Sequence, residues 1–166
     1  CKDVTFIWVR GTTEAPNMGS FIGTKLLPEL RKTFPSLAVE GVKYSAGLMG
    51  NFQPGGAGTD GVAEATKDYK LAASKCPKTI ITGGGYSQGG AITHRTIEGL
   101  PQDVKDRIAG IILYGDTQFK QEGGKIKGLP AEKVKTMCNG YQELKSASSD
   151  GVCGGMLNVN MGHISY

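Results

Sequence analysis

The chain has 166 residues, 39% hydrophobic and 20% charged, with a formal net charge of +4. That length buries a sizeable core and fits a single domain over 1–166, and the composition excludes a disordered polymer. Lys and Arg are scattered rather than gathered in a run interleaved with aromatics, and no apolar stretch is long enough to span a bilayer, so nucleic-acid partners and integral membrane association are not expected.

In chain order, "VTFIWV" (Val4 to Val9) is a β-branched and aromatic run suited to a buried strand. "SFIGTKLLPELRKTF" has helical spacing, with Pro28 expected to kink the helix or begin its last part. "LAVEGVKY" (Leu37 to Tyr44) reads as a second strand, followed by a glycine-rich loop from Gly47 to Gly58. "TDGVAEATKDYKLAASKC" sets Val62, Ala65, Tyr69, Ala72 and Cys76 on one helical face. "KTIIT" is a third strand, "QGGAITHRTIEGL" a helix, "IAGIILYG" a fully apolar fourth strand and "EKVKTMC" (Glu132 to Cys138) a fifth. Strands alternating with helices predict an α/β fold, a mostly parallel five-stranded sheet with helices on both faces. From Asn139 onward the chain is glycine- and serine-rich loop, of the kind that gathers at the carboxyl ends of such strands, where reactive groups collect.

Four cysteines, an even number, point to two disulfides, among three possible pairings, and to an oxidising compartment. There is no C-x-x-C, and two histidines make a poor zinc ligand set, so no metal is expected.

The densest motif is "TIITGGGYSQGGAITH" (Thr79 to His94), in which five glycines surround Ser87. Gly85-Tyr86-Ser87-Gln88-Gly89 is G-x-S-x-G between a strand and a helix, the setting that lifts a nucleophilic serine on a strained turn toward solvent. Residues two either side must be tiny so that strand and helix can approach, and the helix amino terminus offers N–H groups to a developing oxyanion. A dinucleotide G-x-G-x-x-G fails, because Gln88 stands where its third glycine would fall.

A serine nucleophile needs a base steadied by an acid. His94 lies seven residues along the helix from Ser87, roughly 10 Å along the axis, too far to reach back, and is assigned a helix-surface or packing role. That leaves His163, in "NMGHISY". Asp150 gives the order Ser…Asp…His and has Cys153 nearby to tie its loop down, while Asp116, just after the fourth strand, is its rival.

These residues resemble the fungal cutinases, small lidless α/β-hydrolases that are also similar to acetylxylan esterases. The likeness runs from "CKDVTFIWVRGTTE" through "GGYSQGGA" to "DGVCGGMLNVNMGHISY". It implies Ser87, Asp150 and His163 as catalytic residues, Thr12 and Gln88 as the oxyanion hole, and Asn51 holding the Thr12 hydroxyl. It also implies disulfides Cys1–Cys76 and Cys138–Cys153, the second closing a loop worth about 3 kcal/mol by loop entropy. Leu48, Leu157, Val159 and Ile164 match positions that line an apolar acyl groove. The implied protein is a secreted, monomeric serine esterase acting on an aliphatic polyester, without cofactor. Because His163 must be neutral to act, activity is expected to fall on acidification and persist into mildly alkaline pH.

Three departures accompany the resemblance. The segment from Asn139 to Ser149 is longer than in the family, Gln53 stands where an aliphatic residue is usual, and the family's carboxyl-terminal helix is not expected within a chain that stops at Tyr166. The competing readings are an acetylxylan esterase and an inactive module that binds a polymer surface, with a nucleotide-binding protein a distant third.

Overall fold

The five apolar runs form β1 (Val4–Val9), β2 (Leu37–Gly41), β3 (Ile80–Tyr86), β4 (Ile108–Tyr114) and β5 (Val134–Met137) in a computed structural model that describes residues 1–140 and 149–166. The sheet order is β2-β1-β3-β4-β5 and every pairing is parallel. Between and after the strands lie α1 (Ile22–Thr33), α2 (Thr59–Lys75), α3 (Gln88–Gly99), α4 (Gln102–Asp106), α5 (Phe119–Glu122) and α6 (Met161–Ile164).

Period-two alternation on β1 divides the core. Ile7 and Val9 join Tyr69 of α2, Ile92 and Ile97 of α3, and Ile81 and Leu113 on one face of the sheet. Val4, Phe6 and Trp8 join Ile22 of α1, Leu37 and Tyr86 on the other, with Tyr114 and Tyr166 against them. Each such side chain contributes ~1.5–3 kcal/mol when fully buried. The second face is only partly covered: a groove of about 460 Å³ along Val4, Phe6, Ile80 and Ile112 stays open between α1 and β5.

Pro28 lies inside α1, which runs through it. Ile22, Leu26, Leu27 and Leu30 pack against the sheet, and this tertiary contact outweighs the hydrogen bond lost at an exposed proline. The predicted loop at 47–58 contains two short 3₁₀ turns, Leu48–Phe52 and Pro54–Gly56. The disulfides are Cys1–Cys76, which ties the amino terminus to the end of α2, and Cys138–Cys153, which ties the end of β5 to the segment after Asp150. Of the long segment 139–149, residues 141–148 lie outside the described residues.

Candidate active site

β3 ends at Tyr86 and α3 begins at Gln88, leaving Ser87 alone on the turn with φ 57° and ψ −120°. A non-glycine residue in that region is strained by ~1–3 kcal/mol and persists only where its neighbours over-determine it. Here they do: Ser87 N–H donates to Tyr114 O at 3.0 Å, and Ser87 O accepts from Gly90 N–H at 2.8 Å. A Cβ on Gly85 would lie 2.3 Å from Gly89 O, and one on Gly89 would lie 2.1 Å from Val9 O. Both glycines are therefore steric requirements of the turn. Ser87 is only 9% exposed, so its hydroxyl opens into a groove rather than into bulk solvent.

His163 enters that groove from α6, whose amino-terminal cap is the Asn160 side chain, accepting from His163 N–H at 3.2 Å. Tyr86, next to Ser87, stacks its ring on the imidazole at 5.0 Å between centroids and donates its hydroxyl to His163 O at 2.8 Å. His163 Nδ1 lies 2.9 Å from Asp150 Oδ2 and 3.1 Å from Oδ1. The carboxylate also accepts from the Tyr166 hydroxyl at 2.5 Å and from Val152 N–H at 2.8 Å. Burial pushes the Asp150 carboxyl up, but the hydrogen bonds from His163 and Tyr166, the imidazole's charge and the Val152 N–H outweigh it and hold it below the ordinary carboxylate range. The same contacts act on Tyr166, whose hydroxyl is pushed well up, by burial first and then by Asp150.

The rival acid, Asp116, is taken elsewhere. Its Oδ2 lies 2.8 Å from His94 Nε2, and His94 Nδ1 lies 2.8 Å from Glu122 Oε2, which is part of a carboxylate paired with Arg95. Asp116 Oδ1 accepts from Gln118 N–H at 3.0 Å. His94 is fully buried, so its role is internal packing rather than a place on the helix surface.

On the opposite side of Ser87, Thr12 Oγ1 accepts from Asn51 Nδ2 at 3.0 Å and from Gln88 Nε2 at 3.2 Å. Both hydroxyl lone pairs are thus engaged, leaving its hydrogen free to be donated. Gln88 also donates Nε2 to Gly47 O at 2.9 Å, and its amide lies against Gly50, where a Cβ would approach Oε1 to 2.7 Å. This close approach accounts for one glycine of the 47–58 segment. The turn carrying Thr12 is held by two buried charges that the sequence reading missed. Arg10 donates to Glu14 O, Val42 O and Tyr44 O, and the Glu14 carboxylate accepts from the N–H groups of Gly11, Ser20 and Phe21. Only G-T-T-E after a strand hinted at such a clamp.

The groove has a volume of about 470 Å³, and Leu48, Asn51, Leu157, Val159 and Ile164 all line it with Ser87 and His163. Phe21 and Phe52 line it too and were not anticipated. Of these lining residues Leu48, Phe52, Leu157 and Val159 are each more than half exposed, so they are surface rather than core. Gln53 does not line the groove: its Oε1 accepts from Thr59 N–H at 2.8 Å, capping α2 and leaving the apolar wall unaltered. Among the described residues there is no cluster of three or more metal-ligating side chains and no helix long and apolar enough to cross a membrane.

A parallel sheet whose middle strand delivers a serine into a strained turn, with a histidine and an aspartate supplied from beyond the last strand, is the architecture of the α/β-hydrolases. Comparison with known proteins narrows that class. The cutinase family profile matches residues 1–166. Cutinase CUT2 of Pyricularia oryzae is 43% identical over 171 aligned residues, covering 100% of this chain and 75% of that protein. The structure of Trichoderma reesei cutinase in complex with a C11Y4 phosphonate inhibitor superposes with a TM-score of 0.84 at 26% identity, over 100% of this chain and 70% of that one. An acetyl xylan esterase shares the fold with a TM-score of 0.68 at 23% identity, over 83% of this chain and 82% of that one. The chain belongs to the cutinase family and is a carboxylic ester hydrolase of the serine type.

Proposed function

We propose that the protein is a secreted esterase of apolar, cutin-type polyesters in which Ser87, His163 and Asp150 form the catalytic triad. The observation that carries this reading is the pairing of His163 Nδ1 with Asp150 Oδ2 at 2.9 Å on the wall of the apolar groove that also holds Ser87. His163 Nε2 takes the Ser87 proton as Oγ bonds to the ester carbonyl carbon. The oxyanion is stabilised by the N–H groups of Gln88 and Thr12 and by the Thr12 hydroxyl. Collapse of the tetrahedral species breaks the bond to the alcohol, which leaves with the proton from His163. Water then attacks the acyl-enzyme, giving its proton to His163, and Ser87 is regenerated with the acid as product. Asp150 keeps the imidazole oriented throughout.

The exposed apolar lining of Leu48, Phe52, Leu157 and Val159 supports an insoluble aliphatic substrate, because exposed apolar surface around a reactive centre is suited to docking on a waxy face. The test is a series of p-nitrophenyl esters from acetyl through butyryl to longer chains, with wild type and Ser87→Ala. The reading predicts activity that extends to butyryl and longer chains and is abolished in Ser87→Ala. Turnover of acetyl esters alone would replace it with an acetylxylan-esterase-like specificity.

A further inference from the structure

Asp150 and His163 both lie beyond the last strand, on segments with little regular structure to hold them. His163 sits on α6, a single turn of four residues, too short to be kept in place by helical cooperativity. Its position is therefore set by side chains that tie the turn to the rest of the molecule. Tyr86 does so from β3, and Asn160, the cap of α6, donates to Ser149 O at 2.7 Å. A further tie comes from Asn139, two residues past the end of β5 and next to Cys138 of the second disulfide. The strand end before it is itself fixed, because Met137 O accepts from Gly115 N–H at 3.0 Å.

Asn139 reaches both the acid and the base. Its carbonyl accepts from Asp150 N–H at 2.8 Å. Its N–H donates at 3.1 Å to the Tyr166 hydroxyl, which passes its own hydrogen on to Asp150 Oδ2. Its side-chain Nδ2 donates at 3.0 Å to the carbonyl of Gly162, the residue before His163. Gly162 is buried, and the last carbonyls of a helix must find partners outside it.

We propose that Asn139 is a positioning residue for the reaction, setting His163 in register with Asp150 through its side-chain amide on α6 and its backbone on the acid. The inference rests on the triad reading above. The two halves are separable, because a side-chain substitution removes the bond to Gly162 and keeps both backbone bonds. Asp150 then stays held by Val152, Tyr166 and the Asn139 carbonyl, while the turn that carries His163 loses its tie to the sheet. Asn139 does not line the groove, so its loss should fall on kcat rather than on KM.

The test is hydrolysis of p-nitrophenyl butyrate by Asn139→Ala in two backgrounds, wild type and His163→Ala, with thermal melts on all four proteins. In the wild-type background kcat is expected to fall roughly ten- to a hundredfold, the scale set by a misplacement of about 1 Å, with KM changed less than about twofold. In the His163→Ala background the same substitution is expected to change the residual kcat less than about twofold, because the group it acts through is gone. The shift in melting temperature, which reports the structural part alone, should be the same in both. Asn139→Leu restores bulk without the donor and is expected to behave like Asn139→Ala; it carries the same test if the alanine variant does not accumulate. The proposal is overturned by an unchanged kcat, by an equal loss of kcat in both backgrounds, or by recovery of wild-type kcat in Asn139→Leu. A wild type without Ser87-dependent turnover, or a fully active His163→Ala, would instead overturn the triad reading itself.

Discussion

Asp116 Oδ2 sits 2.8 Å from His94 Nε2, so the aspartate at the end of β4 belongs to a different histidine from the one beside Ser87. The two His–Asp pairs, His94–Asp116 and His163–Asp150, are comparably short and comparably buried. Only the second faces the groove that contains Ser87. The two aspartates should therefore fail in different ways when changed. Asp150→Asn is expected to lower kcat by several orders of magnitude, on the scale of roughly 10⁴ seen when a triad acid is replaced, with little loss of folding. Asp116→Asn breaks a buried network and is expected to cost on the order of 3 kcal/mol of stability, while the residual folded enzyme keeps its kcat. Paired thermal melts and active-site-titrated kinetics separate the two outcomes.

The turn around Ser87 gives a steric prediction. Gly85→Ala and Gly89→Ala each drive a Cβ onto a backbone carbonyl, at 2.3 Å and 2.1 Å, which no rotamer change relieves. Both should fail to accumulate as folded protein or lose several kcal/mol, measurable by urea unfolding. Gly99→Ala is the control, because a Cβ there meets nothing within 4 Å, and at the end of α3 it should be neutral or stabilising by up to ~1 kcal/mol.

Acid and neutral pH should act on two carboxylates with opposite sign. Asp150 has a depressed pKa, so its contribution to stability is present above the ordinary carboxylate range and is lost as pH falls through the depressed value. Asp68 is pushed up to about 6 by burial first and then by Glu40 and Glu64. It therefore destabilises the fold increasingly as pH rises from about 4 to 6, where the unfolded chain has already released its proton. Asp68→Asn is expected to raise the melting temperature at pH 7 and leave it nearly unchanged at pH 3. A larger gain at pH 3 than at pH 7 would contradict the assignment.

Tyr166 touches Asp150 rather than Ser87, so its removal should show in catalysis through the acid. Tyr166→Phe deletes the hydroxyl 2.5 Å from Asp150 Oδ2. With one stabilising donor gone, the Asp150 carboxyl should titrate higher, and kcat should fall several-fold and decline at a higher pH on the acid side. An unchanged pH profile would make Tyr166 a packing residue alone.

How much of this was legible in the sequence differs from residue to residue. Ser87, its flanking glycines and the five strands follow from local pattern, because a strained strand-to-helix turn and a buried strand each impose requirements on consecutive residues. Gly83 and Gly84 could not be explained locally. A Cβ on Gly84 would lie 1.9 Å from Ile112 O on β4, and one on Gly83 would meet the Tyr69 hydroxyl at 2.3 Å, both long-range contacts. His94 was correctly separated from Ser87 by helical geometry, but its pairing with Asp116 across the β3–β4 region carries no local signature. The Arg10 and Glu14 clamp and the Tyr86 and Tyr166 supports were missed for the same reason. Pro28 stands inside a continuous α1, and the packing of Ile22, Leu26, Leu27 and Leu30 that accompanies it is tertiary information with no local signature.

The central claim is that Ser87 is the nucleophile activated by His163. The most direct measurement is intact-protein and peptide mass spectrometry after incubation with an alkyl p-nitrophenyl phosphonate, which forms a stable adduct with an activated serine. The account predicts one adduct per chain, on the peptide containing Ser87, lost in Ser87→Ala and slowed by orders of magnitude in His163→Ala. A folded wild-type protein that takes no label at Ser87, or is labelled equally fast without His163, would contradict it.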